Sequence, residues 1–273
     1  MYMNIFRADP TNVGDAFCPP FIYFPFQDKK YIDILKIDQA TTFKRNQMII
    51  IGGGGLGTDF FRNKINILLD LKKKFQLKII GWGLGYDIKN NKSHELISNT
   101  NNIISDIFDG FDFVGTRVYL KNITKESNLF YVPCSSCMHD AFFTFRKQQK
   151  NNKKIGVYSH KRVLLNSFFP DYDHLTNEGM DLLKVLNFIS SYEFIVTNSY
   201  HGVFWATLLN KKVICAPFKS GLYSFKDKPY YINKYFIDDH ILQSTKSFPY
   251  ALEESRDYNF KFYKYIYEKF GGI

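Results

Sequence analysis

The feature that most constrains this chain is an apolar run that empties into glycines. Met48-Ile-Ile-Ile51 has no polar alternation, the mark of a strand buried on both faces. It leads straight into Gly52-Gly-Gly-Gly55-Leu-Gly57. Phe60 to Phe75 then carries Phe61, Ile65, Leu68, Leu69 and Leu71 at roughly helical spacing. Strand, glycine turn and helix in that order form the unit of a parallel sheet. The unit recurs. Leu77 to Ile80 is a second strand, with a second glycine turn at Gly81-Trp-Gly83-Leu-Gly85. Phe113-Val114 leads to Gly115-Thr-Arg117, and Leu129 to Val132 leads to Pro133-Cys134-Ser-Ser-Cys137. Residues 1–8 read as a short strand before a turn at Asn12-Val-Gly-Asp15.

The pattern breaks at Arg146 to Lys154, a polar, basic stretch that offers nothing to bury and reads as a linker. Ile155-Gly-Val-Tyr158 restarts it and ends in Ser159-His160-Lys161-Arg162. Glu178 to Ile189 reads as a helix, Phe194 to Thr197 as a strand, Val203 to Leu209 as a buried helix, and Val213 to Ala216 as the next strand. The expected fold is α/β: two Rossmann-like domains, residues 1–150 and 151–273, facing each other across a cleft. The tail, Tyr258 to Phe270, reads as an amphipathic helix packing back on the body, with a membrane-surface role as the other reading.

Parallel sheets bind ligands beyond the carboxyl ends of their strands. The glycine turns (Gly53, Gly54 and Gly83 among them), Arg117, Cys134, His160 and residues 198–202 all fall just after a predicted strand. The sharpest segment is Thr197-Asn198-Ser199-Tyr200-His201-Gly202, where a buried strand ends and a His and a Gly open a helix. That His can donate a proton or hydrogen-bond an anion, and Gly202 leaves room for a phosphate beside the first free N–H groups. The competing reading is a helix cap, with Asn198 or Ser199 at the N-cap.

Other function classes fall away. The net charge of +10 attracts anions, but the Lys residues are scattered and no nucleic-acid motif accompanies them. Gly52-x-Gly54-x-x-Gly57 has the form of a dinucleotide turn, yet the acidic residue expected about 20 positions on is missing and position 77 is Leu. Cys134-x-x-Cys137 lacks the second pair that zinc would want, which leaves buried structural thiols as the reading. No apolar run reaches membrane-span length, the N-terminus has no signal-peptide pattern, and cysteine is sparse. The expected location is cytoplasmic, extending to the inner face of the cytoplasmic membrane.

In order along the chain, these motifs resemble those of the polysaccharide pyruvyl transferases. Asn12-Val-Gly-Asp15 looks like the early Asn-x-Gly-Asp motif; Gly52 to Gly55 and Gly115-Thr-Arg117 look like the central glycine turn and the later Arg. Ile155 to His160 resembles the start of the second domain, and Thr197 to Gly202 continuing through Leu208-Leu-Asn-Lys-Lys-Val-Ile214 resembles the late His-Gly motif. The resemblance implies a GT-B-like pair of domains and transfer of an enolpyruvyl unit from phosphoenolpyruvate to two hydroxyls of a sugar, giving a cyclic ketal. The acceptor would be a cell-surface polysaccharide such as capsule or exopolysaccharide, or a lipid-linked precursor. No cofactor and no metal is required.

In that scheme His201 is the general acid and Asp15 orients or deprotonates the acceptor hydroxyl, with the first domain on the acceptor side. Arg117 pairs with the donor carboxylate or phosphate, and His160, Lys161 and Arg162 add positive charge. Asn198, Ser199 and the N–H groups near Gly202 hydrogen-bond phosphate. Many members carry Arg where this chain has Ser199, so the donor stays open. The rival readings are a GT-B glycosyltransferase using a nucleotide-activated sugar, and a non-catalytic glycan- or lipid-surface-binding module.

Overall fold

The computed structural model describes residues 2–26, 30–86, 108–119, 128–147 and 153–270. Among these the first sheet has six strands: β1 (Tyr2–Phe6), β2 (Tyr31–Asp33), β3 (Met48–Gly52), β4 (Lys78–Leu84), β5 (Phe113–Thr116) and β6 (Leu129–Tyr131). They lie in the order β2-β1-β3-β4-β5-β6, and every pairing is parallel. The second sheet has five: β7 (Lys153–Ser159), β8 (Asp173–Thr176), β9 (Tyr192–Thr197), β10 (Lys212–Cys215) and β11 (Tyr230–Tyr231), in the order β11-β10-β9-β7-β8 and again parallel throughout. All five residues of β3 are buried, as a strand covered on both faces requires.

Among the described residues the α-helices are α1 (Val13–Ala16), α2 (Asp59–Phe75), α3 (Ala141–Lys147), α4 (Leu182–Ser190), α5 (Tyr200–Leu208), α6 (Asp239–Ser244) and α7 (Ala251–Phe270). Their starts follow local chemistry. Asp181 caps α4 through the Lys184 N–H, and Asp238 caps α6 through the Ile241 N–H. Helix α5 is buried along its whole length, which suits its apolar sequence on all sides.

Two expectations are corrected. Gly81 and Gly83 do not form a turn. They lie inside β4, which carries fully buried Trp82 into an aromatic cluster with Phe24, Phe26 and Phe262. Gly83 has φ of 62°, and the register with β5 shifts between Gly81 and Leu84. Asn12 to Asp15 is not a simple turn either but the start of one-turn helix α1, capped by the Asn12 side chain. Of the stretch read as a linker, Arg146 and Lys147 close α3 and Lys153 opens β7; residues 148–152 lie outside the described residues.

Both sheets change direction at one point. In the first, the chain leaves β1 for β2 on one side and β3 on the other; in the second, β7 is flanked by β8 and β9 in the same way. Such a switch point parts the loops beyond the strand ends and opens a crevice. An apolar cluster spans the sequence halves: Val13, Cys134, Cys137 and Phe142 pack with Leu186, Val203, Trp205 and Leu252. Helix α7 reaches both ways. Ala251 and Leu252 join that cluster, while Phe262 and Ile266 pack with Tyr2, Ile50 and Trp82 of the first sheet. The tail thus packs back on the body, and among the described residues no helix is long and apolar enough to cross a membrane.

Candidate functional site

The loops at the two switch points line one open cavity of about 350 Å³. From the first sheet come Arg7, Asp9, Asn12 and Asp15 beyond β1, Gly55, Thr58 and Phe60 beyond β3, and Arg117 beyond β5. From the second come His160, Lys161 and Arg162 beyond β7, Asn177 beyond β8, Ser199, Tyr200 and His201 beyond β9, and Lys219 beyond β10. Five Lys or Arg residues against two aspartates make the cavity a trap for anions.

His201 is 6 % exposed and sits in the first turn of α5. Its ring packs between the Trp205 ring, 4.9 Å away, and the edge of Tyr200. Opposite lies Gly14 of α1, so close that a methyl group there would overlap the imidazole. This contact joins the early and late sequence motifs and explains why the short helix carries a glycine at that position. The His201 Nε2 atom lies 3.5 Å from Sγ of Cys134, whose sulfur also accepts a hydrogen bond from the Ser136 hydroxyl at 3.2 Å. Burial resists ionisation of Cys134, but hydrogen bonds with Cys18 and His201 and the charges of His201 and Arg117 hold its thiol well below the ordinary range. All four cysteines are buried free thiols.

Asp15 accepts a hydrogen bond from the Asn12 amide at 2.9 Å. Burial pushes its carboxyl upward, partly offset by His201 and Arg117, which makes it a stronger base than a surface aspartate. Arg117 is 8 % exposed. Its guanidinium lies 3.6 Å above the Tyr200 ring, which stacks in turn on Phe225. Among the described residues its Nη1 has no hydrogen-bond partner, although buried polar nitrogens nearly always have one.

The model of the family described as polysaccharide pyruvyl transferase matches residues 3–217, the stretch that supplies most of the cavity wall. The chain belongs to the polysaccharide pyruvyl transferase family. It is therefore a transferase, and the family works on polysaccharides. No curated protein matches the chain. Among solved structures, a functionally uncharacterised protein from Klebsiella pneumoniae subsp. pneumoniae NTUH-K2044 aligns at 16 % identity with a TM-score of 0.44, covering 81 % of this chain and 85 % of that one. A UDP-GlcNAc 2-epimerase from Neisseria meningitidis, bound to UDP-GlcNAc, aligns at 9 % identity with a TM-score of 0.40, covering 95 % of this chain and 99 % of that one.

In this pyruvyl transferase the residues singled out from sequence divide into two groups. His201, Asp15, Arg117, Ser199, His160 and Arg162 line the cavity. Asn198 and Gly202 do not, and both have structural partners. The Asn198 amide accepts from the His160 N–H at 2.7 Å and donates to the Val163 carbonyl at 2.8 Å, so its polar groups brace two loops. Gly202 leaves room for the Thr197 and Tyr158 side chains rather than for a ligand. Its N–H points at the Ser199 hydroxyl, 3.4 Å away, so Ser199 caps α5. His160 does not add positive charge at neutral pH: burial first, then Lys219 and the neighbouring cations, lower it to about 4. Lys161 is engaged with Asp9 at 3.2 Å and with Thr11. Gly53 and Gly54, at φ of 69° and 77°, shape the turn that delivers Gly55 to the wall.

Sequence reasoning missed Arg7, Asn177, Tyr200, Lys219 and Phe60. Arg7 lay inside the strand read over residues 1–8; β1 ends at Phe6, which makes Arg7 a strand-end residue. Asn177 follows β8, a strand of mixed Asp-His-Leu-Thr sequence with no apolar run to announce it. Phe60, 66 % exposed, was read only as the start of a helical stretch.

Proposed function

We propose that this chain transfers the enolpyruvyl group of phosphoenolpyruvate to two hydroxyls of a sugar in a cell-surface polysaccharide or its precursor, forming a cyclic ketal. The observation that carries the proposal is the guanidinium of buried Arg117, in no ion pair among the described residues, lining the same cavity as His201 and Asp15. A cavity of about 350 Å³ suits a three-carbon donor beside a sugar ring. Two sheets whose strand ends meet there are consistent with a GT-B-like pair of domains.

His201 delivers a proton to the methylene carbon of the donor, which becomes the methyl group, while the adjacent carbon becomes oxocarbenium-like. A sugar hydroxyl adds to that carbon and gives its proton to Asp15, whose raised affinity for protons fits the task. The carbon–oxygen bond to phosphate breaks. The second hydroxyl closes the ring, and its proton leaves with the phosphate or returns to His201. Arg117 neutralises donor charge through Nη2, which lies beside the open volume over Gly55, and its stacking on Tyr200 fixes the plane of the guanidinium. Exposed Phe60 offers an apolar face at the rim for a sugar acceptor, free or lipid-linked.

The test is pyruvyl transfer from phosphoenolpyruvate to a panel of glycans. His201→Asn lowers kcat by roughly 10²–10⁴-fold, the range of a positioned acid. Arg117→Lys, which loses the planar fork, raises KM and lowers kcat. Unaltered turnover in His201→Asn removes the proposed acid, and stabilisation by nucleotide sugars but not by phosphoenolpyruvate would replace the donor.

A further inference from the structure

The start of α5 was the place where sequence suggested a phosphate site, but its donors are engaged within the fold. The Gly202 N–H is directed at Ser199, the Asn198 amide is spent on two loops, and the space beside Gly202 holds Thr197 and Tyr158. Across the cavity stands another helix start in a different condition. Helix α2 is 17 residues long, and its N-cap, Thr58, makes no side-chain hydrogen bond to the first turn. Aligned peptide dipoles place about half a positive charge at such an end; the Phe61 N–H bonds the Thr58 carbonyl at 3.0 Å, which leaves the N–H groups of Asp59 and Phe60 to meet a ligand. Gly55, Thr58 and Phe60 bring this end to the cavity wall. Asp59, the acidic residue of the first turn, is not part of that wall and pairs with Arg62.

Arg117, 8 % exposed, lines the same wall, and among the described residues its Nη1 has no acceptor. No carboxylate among the described residues forms an ion pair with it within 4 Å, although Asp15 is near enough to feel its charge. Between the guanidinium and the helix end lies Gly55. A Cβ placed on Gly55 would meet nothing closer than Nη2 of Arg117, at 3.7 Å, so the volume over this residue is open. A smaller recess of about 30 Å³ shares Gly55, Thr58 and Arg117 with the main cavity.

We propose that the first turn of α2, Gly55 and the guanidinium of Arg117 form the phosphate subsite of this enzyme, taking the phosphoryl group of the donor. The inference builds on the reading of Arg117 as a donor-binding residue and assigns the group it meets. Helix N–H groups and a buried guanidinium both match a tetrahedral dianion, which accepts several charge-assisted hydrogen bonds at once. Phosphate is then bound mainly by the first sheet, and the leaving group departs away from His201, which keeps the acid free for carbon chemistry.

Inorganic phosphate is the probe, titrated calorimetrically into the full chain. Gly55→Ala adds one methyl group in ordinary van der Waals contact and puts it where a phosphate oxygen would lie, so it leaves the fold intact and weakens phosphate at least about tenfold. Arg117→Met weakens it by a similar or larger factor. Ser199→Ala, which acts on α5, changes phosphate affinity less than about twofold. Absence of phosphate binding to the native chain overturns the proposal. So does native affinity in Gly55→Ala, or a loss confined to Ser199→Ala. Melting curves of each variant confirm that the folded state is what was titrated. Displacement of phosphate by phosphoenolpyruvate or by a nucleoside diphosphate sugar decides the donor separately: a phosphate site that ignores phosphoenolpyruvate stands while the pyruvyl donor reading falls.

Discussion

His160 illustrates how position changes the value of a residue. In the sequence it headed a basic run, Lys161 and Arg162 following, and counted as positive charge. In the folded chain burial and those same cations hold it at about 4, below the 6.5 of a free imidazole. Between these values the unfolded chain binds the proton and the native chain does not, so stability rises with pH through that window. This contribution is complete above pH 6.5 and is lost as pH falls toward 4. His160→Gln therefore flattens the decline of Tm between those two pH values, while native protein loses Tm across it; melting curves at stepped pH measure the difference. Cys134 moved in the other direction. Its Cys-x-x-Cys spacing suggested inert thiols, and Cys137 and Cys215 are pushed upward by burial as that reading requires. Only the fold reveals the His201 contact that sets Cys134 apart.

At the scale of elements, the contact between α1 and α5 governs the site. Gly14→Ala introduces a methyl group that overlaps the His201 ring, so one helix must shift. A displacement of about 1 Å costs on the order of 100-fold in rate, and where α5 yields, Tyr200 moves with it, so donor affinity falls through Arg117 as well as kcat through His201. Steady-state kinetics of Gly14→Ala measure both. The strands that anchor these loops were plain in the sequence where burial on both faces writes an apolar run, as in β3 and β9. Edge strands β2, β8 and β11 were not, since they carry Asp, His, Thr and Tyr and are only partly buried. The glycines of β4 misled for a physical reason: glycine usually breaks a strand, but here it admits Leu84 and the Pro133–Cys134 backbone against the sheet. The site was legible as a set of strand ends. Which of those side chains face the cavity was not, because Asn198 and Ser199 occupy adjacent positions and only packing decides which one braces a loop.

At the scale of the whole molecule, α7 connects the distant parts. Asn259 accepts from the Trp82 indole at 2.8 Å and donates to the Pro133 carbonyl at 3.1 Å. Arg256 donates to the carbonyls of Cys137, Met138 and His139. The tail thus holds the loop that presses Cys134 against His201. Asn259→Leu leaves the buried indole N–H without an acceptor and costs about 1–3 kcal/mol of stability, read from chemical denaturation. The strand-end loops are tied as well: Lys161 reaches across to Asp9 and Thr11, and the Asn177 amide donates to Asn12. Parting the sheets would rupture this latch, an ion pair and several hydrogen bonds together, at the edge of the chemistry. Ionic strength then acts on the catalytic cycle with opposite signs. Salt screens the capture of an anionic reactant and slows it, while loosening the latch and hastening any opening that limits the escape of product.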